Sequence, residues 1–137
     1  MIKENMELTE LVKEVCDILK TKYTYEDEVY YLQVKTEDGH EEEVSIYETI
    51  DSYELSKIDC AVTIGPVIKN VDLLYTFLKN NFELDYGAFA IIHEDDIDLL
   101  VLVESLLTDS CSAEELATVT AYLAEIAHET RELISKF

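Results

Sequence analysis

Over residues 6–22 apolar side chains fall three and four apart, at Leu8, Leu11, Val12, Val15, Ile18 and Leu19, with Glu7, Glu10, Lys13, Glu14, Asp17 and Lys20 between them. That period predicts an amphipathic helix, with Asn5 as its N-cap and Lys20 and Lys22 in a last turn where cations suit the helix dipole. The period then changes to two. Residues 29–35 alternate, with Tyr30, Leu32 and Val34 on one face and Tyr31, Gln33 and Lys35 on the other. Val44, Ile46 and Tyr47 mark a second strand ending near Ile50, and Ile58, Cys60, Val62 and Ile64 a third. Asp38-Gly39 between the first two suits a type I′ hairpin turn. Gly65-Pro66 stops the third strand, because proline cannot donate to the sheet ladder.

The helical period returns over residues 70–81. Val71, Leu74, Tyr75, Leu78 and Phe82 form one stripe, while Leu73 and Phe77 lie off it. Two strands follow, over residues 86–93 and 97–107, with a turn at Glu94-Asp95-Asp96. Within the second, Leu99-Leu100-Val101-Leu102-Val103 is apolar at every position, the pattern of a strand covered on both faces. Ser112-x-x-Glu115 reads as a capping box opening a last helix. Its stripe is Leu116, Val119, Leu123, Ile126, Thr130, Leu133 and Phe137, flanked by Ala117, Ala121 and Ala124. The order helix–three strands–helix–two strands–helix predicts a single α+β domain over residues 1–137, with an antiparallel sheet flanked by helices.

A short helix with apolar residues on two sides cannot satisfy both against one sheet. Leu73 and Phe77, with Phe89 and Ile91 on the next strand, are therefore the expected interface of a homodimer, since soluble monomers avoid such patches and a twofold axis buries the same patch on both chains. The chain has nine Tyr, four Phe and no Trp, and Tyr23, Tyr25, Tyr30 and Tyr31 cluster where the first helix meets the first strand. Tyrosine, with an apolar face and a polar tip, suits interfaces. Leu8, Leu11 and Val15 of the helix, with Tyr30, Tyr31 and Leu32 of the strand, are the expected surface for an extended segment of a client protein.

Charge narrows the partners. The formal net charge is −21. Such a chain repels nucleic acid and anionic membranes, because holding phosphate needs Lys and Arg to displace counterions. It favours a basic or amphipathic protein segment. The carboxylates are spread through every segment, which argues against a mimic of nucleic acid with charges arrayed on one face. No signal peptide and no membrane-length apolar run is visible, so a cytoplasmic protein is expected.

Chemistry is hard to find. The three glycines form no phosphate-cradling loop. Cys16, Cys60 and Cys111 are far apart and form no C-x-x-C, so neither a disulfide framework nor a zinc knuckle is indicated. His40, His93 and His128 are scattered, and none opens an H-E-x-x-H motif. His93-Glu94-Asp95-Asp96 reads as a solvated turn rather than a hard-cation site, and Cys60 as a buried strand residue rather than a nucleophile. No catalytic residue, cofactor or metal is expected, and the chain reads as a non-enzyme.

The element order, small size and acidity resemble the class I type III secretion chaperones and the related YbjN-like family. The resemblance is carried by Leu74-x-x-x-Leu78-x-x-Asn81, the Ala88-Phe89 strand, Leu100-Val101-Leu102, and Leu106-Leu107 before Ala113-x-x-Leu116. It covers nearly the whole chain and rests on apolar patterns. It implies a non-enzymatic homodimeric chaperone or adaptor that holds an extended client segment on its surface. A YbjN-like regulatory or interaction protein, or an acidic immunity protein blocking a basic toxin, are the alternatives.

Overall fold

The computed structural model describes residues 6–137. The chain runs α1 (Met6–Leu19), β1 (Tyr23–Glu26), β2 (Val29–Lys35), β3 (Glu41–Ile50), β4 (Ser56–Pro66), α2 (Val71–Asn81), β5 (Ala88–Glu94), β6 (Ile97–Leu107) and α3 (Ala113–Ile134). The six strands form one antiparallel sheet in the order β1-β2-β3-β4-β6-β5. The fold is α+β, with one strand more than the sequence pattern predicts. β1 lacks a hydrophobic signature because three of its four residues are exposed. It exists because Asp27 and Glu28, both at positive φ, fold it back on β2.

Turn chemistry differs from expectation in an instructive way. Paired positive φ values, the mark of a type I′ turn, occur at Asp27-Glu28 and Asp95-Asp96. At the β2–β3 hairpin only Gly39 is left-handed (φ 87°). There Thr36 N–H donates to His40 C=O (2.8 Å) and Gly39 N–H to Thr36 C=O (3.0 Å). This is a three-residue loop, and its extra residue re-aims the Asp38 and His40 side chains.

Register puts Tyr30, Leu32, Val34, Val44, Ile46, Ile58, Cys60, Val62, Leu100 and Leu102 on one sheet face. Each of the three helices buries one apolar side in the same cluster. α3 lies centrally over β2, β3, β4 and β6, with α1 beside it and α2 over β5. Because α3 is central, it buries far more than a narrow stripe. Ala117, Ala124 and Ala127 are buried with Leu116, Val119 and Leu123, their small side chains allowing close approach. Ser112 Oγ accepts from Glu115 N–H (3.0 Å), one half of the predicted capping box. α1 ends earlier than predicted, because Lys20 turns left-handed (φ 57°). The predicted N-cap Asn5 lies outside the described residues.

Among the described residues, the opposite sheet face carries no helix. The two-sided apolar run of β6 is thus covered on one side only. Val103 is half-buried between Ala88 of β5 and Ala61 of β4, Leu99 is half-buried between Ile92 and Pro66, and Val101 is buried between Ala90 and Thr63.

Gly87, between α2 and β5, is held at φ 79°, and a Cβ there would lie 2.9 Å from Leu123 Cδ2 and 3.0 Å from Val103 O. Gly87→Ala is expected to cost about 2 kcal/mol, from the left-handed backbone and the overpacked contact together, read from the urea midpoint. An unchanged midpoint would show that the loop relaxes freely.

Candidate docking surfaces and a histidine–carboxylate cluster

The structure inverts α2. Leu73 and Phe77 are buried, and Val71, Tyr75, Leu78 and Phe82 are exposed. The cause is polar. Asn70 caps the helix, its Oδ1 accepting from Leu73 N–H (2.9 Å). At the other end Asn81 acts as a strand substitute: its Oδ1 accepts from Phe89 N–H (2.6 Å) and its Nδ2 donates to Phe89 C=O (3.3 Å). These bonds cover part of the β5 edge, which would otherwise offer unpaired backbone groups. They fix the face containing Leu73, Phe77 and Asn81, at spacing i, i+4, i+8, toward the sheet. Phe77 stacks on Phe89 with centroids 4.9 Å apart. The longer apolar stripe then has nowhere to go but outward.

The expected interface set is corrected accordingly. Leu73 and Phe77 belong to the core of this chain, Phe89 is half-buried against it, and Ile91 is exposed. The outward row on α2 offers the apolar surface instead. The client set separates too. Leu8, Val15, Tyr30 and Leu32 are buried core residues and cannot touch a client in this fold. Their burial follows from α1 and β2 facing each other across the core. Leu11 is half-buried in a shallow recess rimmed by Glu7, Glu10 and Glu14. Tyr31 is half-buried on the helix-free face. The tyrosine cluster is itself a packing unit: Tyr23 and Tyr25 sit 5.4 and 4.7 Å from Tyr30, centroid to centroid, and the Tyr30 hydroxyl hydrogen-bonds to Thr9. A groove of about 360 Å³ separates α2 from α3, with Phe77, Leu84, Phe89 and Tyr122 in its wall.

A second feature is electrostatic. At the β2–β3 hairpin, Asp38 Oδ1 lies 3.0 Å from His40 Nδ1 and Asp38 Oδ2 lies 2.8 Å from His128 Nε2 on α3. Thr36 Oγ1 donates to Asp38 Oδ1 (2.5 Å). The two imidazoles stack with centroids 4.3 Å apart, and Glu132 Oε1 is 3.4 Å from His128 Nε2. Hydrogen bonds from Thr36 and His40, with that of His128, hold the Asp38 carboxyl well below the usual carboxylate range. The Asp38 hydrogen bond raises the pKa of His128. Spacing along the chain could not reveal this cluster, since His40 and His128 are brought together only by α3 crossing the hairpin. Next to it, Arg131 Nε donates to both oxygens of the buried Glu42 (3.0 and 2.9 Å). Its guanidinium also donates to Thr63 and Ile64 carbonyls, beside the bulge that shifts β4 register between Thr63 and Gly65.

The remaining candidates behave as structural residues. Cys60 is fully buried, and burial pushes its thiol up to about 12. Burial likewise raises Cys111 to about 11. His93 pairs with Asp98 (2.8 Å) on the exposed β5–β6 hairpin. Among the described residues, no helix is long and apolar enough to cross a membrane.

No protein-family profile and no curated protein sequence matches the chain. Solved structures do. YbjN from E. coli, for which a role in transcription regulation has been suggested, superposes with a TM-score of 0.64 at 15% identity, over 93% of this chain and 92% of that one. An uncharacterized protein from Methanothermobacter thermautotrophicus gives 0.55 at 10% identity, over 93% and 94%. Agreement over almost the full length of both chains means that this protein has a YbjN-like fold.

Proposed function

We propose that the protein is a non-enzymatic interaction protein, an acidic chaperone or adaptor that works as a homodimer and holds a basic, amphipathic segment of a client. The observation that carries this reading is the outward row of α2. Val71, Tyr75, Leu78 and Phe82 are spaced i, i+4, i+7 and i+11 and stand exposed along one line. Charge supports self-association at this place above others. From Gly65 to Phe82 the chain carries Lys69 and Lys79 against Asp72 alone. Two copies that repel everywhere else can meet where the carboxylates lapse.

The client reading rests on Leu11. An apolar floor rimmed by three glutamates matches an apolar side chain flanked by Lys or Arg. The helix-free face around Ile92 is another uncovered apolar surface. A regulatory role of the kind suggested for the E. coli neighbour would run through such a protein partner, because a surface this acidic does not hold phosphate.

Light scattering is expected to give a dimer that strengthens from low to moderate salt, as repulsion is screened. Phe82→Asp, at an exposed position, should give a folded monomer. Leu11→Asp should lose binding of a basic amphipathic peptide while remaining dimeric, and Ile92→Asp should leave that binding unchanged. A wild-type chain that stays monomeric at every salt concentration would overturn the homodimer and favour the acidic-antagonist alternative.

A further inference from the structure

The cluster at the β2–β3 hairpin has the donors of a metal site. We propose that Asp38, His40, His128 and Glu132 together bind a divalent transition-metal ion of zinc's class, pinning the hairpin to α3. The inference is independent of the docking reading.

Three observations carry it. The first is spacing. A tetrahedral zinc ion with bonds near 2.0–2.1 Å places neighbouring donor atoms roughly 3.3 Å apart. The separations here are 3.0 Å (His40 Nδ1 to Asp38 Oδ1), 2.8 Å (His128 Nε2 to the other Asp38 oxygen, Oδ2) and 3.4 Å (His128 Nε2 to Glu132 Oε1). The donor atoms of Asp38, His40 and His128 all lie within 4.8 Å of one another. To bring both nitrogen lone pairs onto one ion, the exposed His40 ring turns out of its stack on His128.

The second is donor type. Two imidazoles and two carboxylates suit zinc or its neighbours, whereas calcium and magnesium prefer six or more oxygens. Two of the three histidines of the chain converge on the two oxygens of one carboxylate.

The third is support and access. His128 is fixed on a long helix with its side chain only 11% exposed, and Asp38 is steadied by Thr36 Oγ1, the kind of outer hydrogen bond that orients metal ligands. His40 and Asp38 are 65% and 52% exposed, which leaves an entry path. The neighbouring Glu42 is already held by Arg131, whereas Glu132 Oε1 lies 3.4 Å from His128 Nε2 and within reach of the set.

The test is titration of the full-length chain with Zn²⁺ against a chromogenic chelator, and separately with Co²⁺. One Zn²⁺ per chain is expected, and the Co²⁺ form should show the strong visible absorption of a tetrahedral site. His40→Ala, at an exposed position where circular dichroism should be unchanged, should weaken Zn²⁺ binding roughly tenfold or more and abolish the Co²⁺ band. His128→Gln should do the same. His93→Ala, on the distant hairpin, should have no effect. Equal Zn²⁺ affinity in wild type, His40→Ala and His93→Ala, or loss of bound Zn²⁺ to an equal concentration of Ca²⁺, would identify diffuse binding by surface carboxylates and overturn the site.

Discussion

Phe77→Asp is expected to leave the chain unfolded at room temperature, while Phe82→Asp, five residues further on, is expected to leave it folded. Phe77 is 4% exposed and packs on Phe89 beneath α2, whereas Phe82 is 94% exposed. Truncating a buried phenylalanine costs about 3–5 kcal/mol. An unpaired carboxylate in its place adds several more, unless it protonates at further cost. The sum rivals the roughly 5–15 kcal/mol that stabilises a whole domain. At Phe82 the carboxylate stays in water and nothing is desolvated. Far-UV circular dichroism and urea denaturation of both variants check the contrast. Equal loss of structure in the two would mean that α2 buries its other face.

Arg131→Leu is expected to destabilise the chain by about 2–3 kcal/mol, seen as a lower urea midpoint with an unchanged slope. Glu42 is 5% exposed on the inner face of β3, and Arg131 is its ion-pair partner among the described residues. Removing one member of a buried pair leaves an uncompensated charge, at about 3–5 kcal/mol. Arg131 itself is 41% exposed, so water screens the site and brings the cost to the bottom of that range or just below it. The variant also strips two donors from the Thr63 and Ile64 carbonyls at the β4 bulge. Replacing both partners, as Glu42→Leu with Arg131→Leu, should recover much of the loss, because the carboxylate is then gone. A double variant no better than the single one would place the cost at the bulge rather than in the ion pair.

Period alone determined much of this molecule. The alternation over Tyr30–Val34, Val44–Ile46 and Ile58–Ile64 identified three strands and their buried face, because one-sided burial forces a period of two. The three-and-four spacing identified all three helices, and with the element order gave the α+β class. The net charge of −21 is the basis of the proposal that a partner is basic.

What the sequence could not decide was which apolar side of α2 faces inward. Both Leu73–Phe77 and Val71–Tyr75–Leu78–Phe82 satisfy helical spacing. The choice falls to Asn70 and Asn81, whose hydrogen bonds form only against the folded helix start and the β5 edge. The same limit explains the client set: a stripe on α1 and alternating positions on β2 look like a surface until one packs against the other. It explains β1, whose exposed residues leave no periodic trace. And it explains the histidines. Periodicity reports what a segment buries, whereas a cluster of polar donors is a property of which segments meet. His40 and His128 lie 88 positions apart, and only the crossing of α3 over the β2–β3 hairpin puts them on one carboxylate.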